Sequence, residues 1–222
     1  MKLSKSCRLL FIGDSITDCG RAWPAGEGDD QALGNGYVSL VSAFLTAAHP
    51  ELYIHVMNTG VSGDTVRDLD GRWERDVLSL KPDWLSIMIG INDVWRQFDG
   101  LWEFGSPISL GEYSETLGRL IAQVRPRLQG LVLMTPYHLE PDVSHPMRRR
   151  MDQFGAAVGE LAAKHGAILV DTQNAFDRLM AHIPPDELAQ DRVHVGLPGH
   201  MVLAQSFLSG VGCSLPRCDG DE

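Results

Sequence analysis

Five short β-type runs, at residues 8–12, 54–58, 84–89, 131–135 and 167–171, carry apolar residues on both faces instead of alternating. A strand with one face in water alternates with period two; a strand covered on both faces by helices in a parallel sheet does not. Helical patterns fill the intervals. Residues 37–48 place Val38, Val41, Phe44 and Leu45 on one stripe; 110–125 place Tyr113, Leu117, Leu120, Ile121 and Val124; 146–165 place Met147, Met151, Phe154, Val158 and Leu161. A last helix opens at Pro198, a favoured first-turn residue, and extends to Leu208. Strands interleaved with helices in this way predict an α/β fold: a three-layer, doubly wound, five-stranded parallel sheet of flavodoxin-like layout. No repeat or linker divides the 222 residues, 44% of them apolar, so one domain over residues 1–211 is expected. Residues 212–222 have little apolar content and are expected to fray.

Charge and cysteine usage narrow the function. The net charge is −10, and the only basic run is Arg148-Arg149-Arg150, which argues against nucleic acid as a partner because such binding needs clustered positive charge. Leu9-Leu10-Phe11-Ile12 is far shorter than a signal-peptide core, and no run approaches the ~18 apolar residues of a membrane span. Cys7, Cys19, Cys213 and Cys218 lack the paired CxxC spacing of a zinc site. Without an export signal they read as reduced thiols in a cytoplasmic protein that makes no use of a membrane.

Ligands of open α/β sheets sit beyond the carboxyl ends of the strands, where strand order reverses. Chemistry-bearing segments fall there. Gly13-Asp14-Ser15 follows the first run, Asn58 to Thr65 with Gly63 the second, and Gly90-Ile91-Asn92-Asp93 the third; Asp191-Arg192-Val193-His194 precedes the last helix. A serine hydroxyl needs a base to take its proton, and an imidazole base needs a carboxylate to fix its tautomer. Ser15, His194 and Asp191 are the candidate nucleophile, base and orienter. The N–H groups of Ser15 and Gly63 and the amide of Asn92 are candidate oxyanion donors. Taken singly, Gly-Asp-Ser is a common turn, Asn92-Asp93 a helix cap, Gly63 a loop glycine and His194 a surface histidine. Their joint order is much harder to obtain by accident.

These blocks resemble those of the SGNH (GDSL-type) hydrolase family across nearly the whole chain: residues 13–17, 58–65, 90–93 and 191–194. The resemblance implies the SGNH hydrolase fold and the same roles for Ser15, Asp191, His194, Gly63 and Asn92, with no metal or organic cofactor. Residues 11–21, Val66-Arg67-Asp68-Leu69, Lys81-Pro82-Asp83-Trp84, residues 87–97, Leu133-Met134-Thr135-Pro136 and Pro146-Met147-Arg148-Arg149 are further similar to bacterial acetylxylan esterases of that family. That likeness implies an acetylated xylo-oligosaccharide as the small-molecule substrate, and a homo-oligomer, in some relatives an octamer. Val195-Gly196 departs from the family's usual proline and small polar residue after the histidine.

The residues themselves say less about substrate. Trp95, Phe98, Trp102 and Phe104 follow Asn92, and aromatic faces suit either sugar rings or buried contacts. Trp95 and Arg96, with Asp14 beside the serine, are the expected substrate-binding residues, and Trp23 is a further aromatic candidate. A lipase would want an apolar trough or lid, whereas residues 20–35 and 138–145 are rich in Gly, Pro, Asp and Glu. Lysophospholipid, thioester or broad short-chain ester hydrolysis by the same triad is the nearest rival. A flavodoxin-like cofactor-binding module would need a phosphate-cradling loop where Asp14 and Asp18 stand. A metal-dependent deacetylase using Asp191, His194 and His200 lacks a recognisable ligand motif.

Overall fold

The computed structural model describes residues 1–28, 31–99 and 106–213. Strands are β1 Arg8–Gly13, β2 Gly26–Glu27, β3 His55–Asn58, β4 Trp84–Met88, β5 Gly130–Met134 and β6 Ile168–Val170. They form a sheet in the order β2-β3-β1-β4-β5-β6. Helices are α1 Ser15–Asp18, α2 Tyr37–Ala48, α3 Val66–Trp73, α4 Ile91–Trp95, α5 Leu110–Val124, α6 Pro146–His165, α7 Thr172–Met180, α8 Pro185–Leu188 and α9 Leu197–Gly210. One layer packs α3 on α5 and α5 on α6; the other packs α2 on α9 and α9 on α7. The central strands are apolar on both sides for this reason: every residue of β4 and β5 is buried, and all of β1 after Arg8. Phe11 of β1 sits between Tyr37 of α2 and Phe207 of α9, with ring centroids 5.6 and 4.8 Å away. Such offset or edge-on pairs are the favoured aromatic geometry.

The five-stranded expectation is corrected by one strand. Gly26–Glu27 pairs antiparallel with β3 (Gly26↔Asn58, Glu27↔Met57), so the sheet has six strands and a mixed edge. Two residues are too few to carry an apolar period, and they lie inside a stretch whose polar composition reads as loop. The five predicted runs form the parallel part of the sheet.

Strand order reverses at β1, which has β3 on one side and β4 on the other. The register aligns Phe11 with Asn58 and Gly13 with Met88. The segments that leave β1, β3 and β4 therefore emerge side by side at one end of the sheet. At the chain's other end, Cys213 is buried (3% exposed) and Lys2 N–H donates to Val211 O at 2.8 Å, so the C-terminal end of α9 packs on the N-terminus. Of the segment expected to fray, residues 214–222 lie outside the described residues.

Candidate active site

Gly13 ends β1 against β4. A Cβ there would stand 2.2 Å from Met88 O and 2.5 Å from Thr17 Oγ1, so the approach admits only glycine. Asp14 then caps α1, accepting from Ile16 N–H at 3.0 Å. Ser15 opens the helix, half-buried, with its Oγ 2.9 Å from His194 Nε2. His194 Nδ1 lies 2.6 Å from Asp191 Oδ2. The other carboxylate oxygen, Asp191 Oδ1, accepts from the N–H groups of Val193 (3.0 Å) and His194 (2.8 Å). Burial alone would raise the Asp191 carboxyl; hydrogen bonds from the His194 side chain, His194 N–H and Val193 N–H outweigh it and hold the group below its usual range. An ionised Asp191 places the imidazole proton on Nδ1 and leaves Nε2 to accept from Ser15 Oγ–H.

Three candidate donors meet at the cleft: the N–H of Ser15 itself and one group each from the segments after β3 and β4, Gly63 and Asn92. Among the described residues, Ser15 N–H and Gly63 N–H donate to no other protein group. Gly63 lines the cleft with φ +85°, a left-handed conformation that favours glycine, and its carbonyl accepts from Arg96 Nη2. Asn92 Nδ2 donates to Asp64 O at 2.9 Å, which fixes the amide plane and leaves its second N–H for a ligand oxygen.

Arg72, 8% exposed, ties these segments together. Its guanidinium donates to Gly13 O (3.0 Å) at the end of β1 and to Thr59 O (2.5 Å) after β3, and pairs with Asp64 Oδ2 (2.5 Å) and Asp76 Oδ2 (2.9 Å). Burial pushes the Asp64 carboxyl up, and the charge and hydrogen bond of Arg72 oppose it. Sequence reading passes over Arg72, because an arginine in an amphipathic helix ordinarily reads as solvent-facing.

Asp14 does not line the cleft. It is 2% exposed and serves as the cap of α1, a correction to its expected role. Burial, with Asp93 and Asp64 nearby, pushes it up to about 7. Asp93, which accepts from Val66 N–H at 3.0 Å while its Oδ2 is buried without a partner, is likewise pushed by burial to about 7. The folded protein thus holds protons that the unfolded chain releases near the ordinary aspartate value of 3.8. These two groups therefore make stability fall as pH rises from about 4 to about 7, beyond which their penalty is complete. Asp14→Asn, which keeps a capping oxygen, is expected to flatten that fall when urea midpoints are compared between pH 5 and pH 8; an unaltered slope would show that Asp14 titrates normally.

The cleft in front of Ser15 has a volume of about 440 Å³ and is lined by Ile16, Cys19, Ser62, Gly63, Asn92, His194, Val195 and His200. Cys19 and Ser62 were not singled out as site residues by the sequence, and His200 entered only as a ligand in the metal-dependent alternative. His200 Nδ1 accepts from Tyr37 N–H at 3.2 Å and its Nε2 lies 3.4 Å from Cys19 Sγ. Both ring nitrogens are thus engaged, which removes it from the ligand set a metal site here would draw on; among the described residues no group of three His, Cys, Asp or Glu is placed to hold a metal. Burial, then the charge on His194, pushes His200 down to about 4, and burial with Asp18 and Asp14 pushes the Cys19 thiol up to about 12. The pair is neutral wall, not nucleophile. Val195 is 6% exposed against Gly199, and Gly196 caps α9, so the unusual dipeptide is absorbed by packing behind His194. Trp95 lies half-buried with its ring 5.8 Å from that of His194, and Arg96 braces Gly63. Phe98 is 45% exposed; Trp102 and Phe104 lie outside the described residues.

A serine–histidine–aspartate chain at the topological switch of a doubly wound sheet, facing donors from the next two loops, defines a class of ester hydrolase. The chain belongs to the GDSL-like lipase/acylhydrolase family, whose pattern matches residues 11–202. It is 51% identical over 212 residues to an acetylxylan esterase of Geobacillus stearothermophilus, covering 96% of this chain and 97% of the relative. The crystal structure of Axe2, an acetylxylan esterase from the same organism, superposes with a TM-score of 0.94 at 50% identity, covering 98% of this chain and 100% of that one. A structure of a catalytic mutant of Axe2, H194A, matches with a TM-score of 0.95 at 50% identity over 98% of this chain and 100% of that one. No helix among the described residues is long and apolar enough to cross a membrane.

Proposed function

We propose that this protein is a serine esterase that removes acetyl groups from xylo-oligosaccharides through an acyl-enzyme on Ser15. The observation that carries the reading is the continuous hydrogen-bond chain Asp191–His194–Ser15 opening on the cleft. Ser15 Oγ attacks the acetyl carbonyl as its proton passes to His194 Nε2. The oxyanion is received by Ser15 N–H, Gly63 N–H and Asn92 Nδ2. His194 returns the proton to the departing sugar oxygen. A water that gives its proton to His194 then attacks the acyl carbonyl, and collapse of that second tetrahedral species frees acetate and restores Ser15 Oγ–H. Every proton transfer is made by protein side chains and water.

The acetylated-saccharide substrate is supported by the high identity to an acetylxylan esterase and by the match to its structure. Trp95 is the residue beside His194 assigned to the sugar, and Arg96 acts on the reaction through Gly63. We take residues 1–211 as one catalytic domain. The free thiols of Cys7, Cys19 and Cys213 support a cytoplasmic location. A homo-oligomer, an octamer by family resemblance, is the assembly to look for by light scattering.

A substrate panel tests the reading. Acetylated xylo-oligosaccharides and aryl acetate are expected to be turned over, with kcat/KM falling steeply as the acyl chain of the aryl ester lengthens. Preference for long-chain esters or a lysophospholipid would replace the sugar with a lipid and leave the serine chemistry in place.

A further inference from the structure

Trp23 is an oddity in a well-packed chain: its indole is 61% exposed, on the segment that follows α1. An exposed tryptophan is ordinarily a free rotor, but this one is braced. The guanidinium carbon of Arg21 lies 3.9 Å from the indole centroid, and Arg21 itself is 3% exposed. Arg21 Nε donates to Gly60 O at 2.8 Å, and Nη1 to Ala22 O at 2.9 Å and Pro24 O at 2.8 Å. Arg21 Nη2 is buried with no hydrogen-bond partner, so the π-face above is what the cation meets there. One face of the indole is thus fixed to a cation anchored in the backbone, and the other is held open to solvent.

The segment that carries the braced ring is tied to the loops that line the cleft. Cys19, four residues before Trp23, lines the cleft, which keeps the two Cα atoms within ~15 Å of each other. Gly60, which receives Arg21, belongs to the same loop as the cleft residues Ser62 and Gly63. Asp18 locks the two loops together, accepting from Ser62 N–H at 3.1 Å and Ser62 Oγ at 2.7 Å. β2 begins three residues after Trp23 and pairs with Asn58 at the carboxyl end of β3, which puts the indole at the end of the sheet where Ser15 stands.

We infer that the open face of Trp23 is a sugar-stacking subsite, taking a pyranose ring of the saccharide chain beyond the residue whose acetyl group is at Ser15. A pyranose presents a flat C–H surface and no charge. That suits an aromatic plane whose ordering entropy is already met by its cation, the condition under which a contact yields most binding. A long acyl chain has no plane to match it, and a phosphate would meet an arginine whose Nε and Nη1 are directed into the backbone and whose Nη2 is buried beneath the ring. The inference rests on the saccharide reading above and extends it from the reacting residue to the length of the chain recognised.

The test compares wild type with Trp23→Ala and Trp23→Phe on two substrates, an acetylated xylo-oligosaccharide and an aryl acetate. For Trp23→Ala, the ratio of kcat/KM on the oligosaccharide to that on the aryl acetate is expected to fall roughly three- to tenfold, mainly through KM, and Trp23→Phe is expected to restore most of it. Unesterified xylo-oligosaccharide binding, followed by calorimetry, is expected to weaken by the same factor. An unaltered ratio, or equal losses on both substrates, would overturn the subsite. So would a change of oligomeric state in Trp23→Ala with the ratio intact, which would make the indole a contact between copies. Wild type that turns over aryl acetate but no acetylated saccharide would instead sink the saccharide reading, and the subsite with it.

Discussion

Ser15→Ala is expected to lower turnover of an aryl acetate by about 10⁴-fold or more while the melting temperature stays within a few degrees of wild type. The side chain removed is small, half-buried and bonded only to His194 Nε2, so its loss opens no cavity in the core. What disappears is the oxygen that the proposed mechanism uses to form the acyl-enzyme. The residual rate would come from the oxyanion donors and water. Steady-state hydrolysis together with thermal denaturation separates the outcomes: normal turnover in a folded variant would remove Ser15 from the mechanism.

Asn92→Ala is expected to cost about 10²–10³ in kcat with a small change in KM, as for other single oxyanion donors. The donor matters most when the carbonyl oxygen carries full charge, so the loss belongs to the transition state. Asn92 also holds Asp64 O, and a lost hydrogen bond of that kind is worth about 1 kcal/mol of stability. A denaturation midpoint measured beside the kinetics distinguishes a missing donor from a displaced loop. Unchanged kcat would take Asn92 out of the oxyanion site.

The fold was legible because the doubly apolar strands admit few arrangements. Phe11, Leu85 and Leu133 sit in strands with no polar side to offer water, and helices on both faces follow. What escaped was a strand with no period: Gly26–Glu27 pairs through its backbone, and two residues cannot display a pattern. In the candidate site, the meeting of Ser15, Asp191 and His194 was legible because triad chemistry requires those residue types, and the nearness of Gly63 and Asn92 because they follow strands that meet at the switch point. Asp14 was misjudged since an aspartate beside a nucleophile reads equally well as a contact or as a cap, and only its 2% exposure decides. That His200 and Cys19 line the cleft carried no signal, because lining a cleft from α9 and from the end of α1 is a property of packing, not of spacing; His200 drew notice only as a ligand of the metal-dependent alternative. Arg72 was hidden for the same reason.

Arg72 has a consequence for how such an enzyme can diverge. It joins the exit of β1, which delivers the nucleophile, to the exit of β3, which delivers an oxyanion donor, and it does so with two buried carboxylates as its counter-ions. Loss of one member of a buried ionic cluster typically costs about 3–5 kcal/mol, a large share of a domain's ~5–15 kcal/mol stability. Inheritance at positions 64, 72 and 76 is therefore not independent: a lineage can keep all three charges or exchange them together, but intermediate steps pass through a chain that folds poorly. The cleft walls contributed by Ile16, Cys19 and Val195 carry no charge that must stay paired, and are held by the packing their volume must fill. Substrate range is free to drift in this architecture, while the distance between serine and oxyanion donors is inherited with the ability to fold.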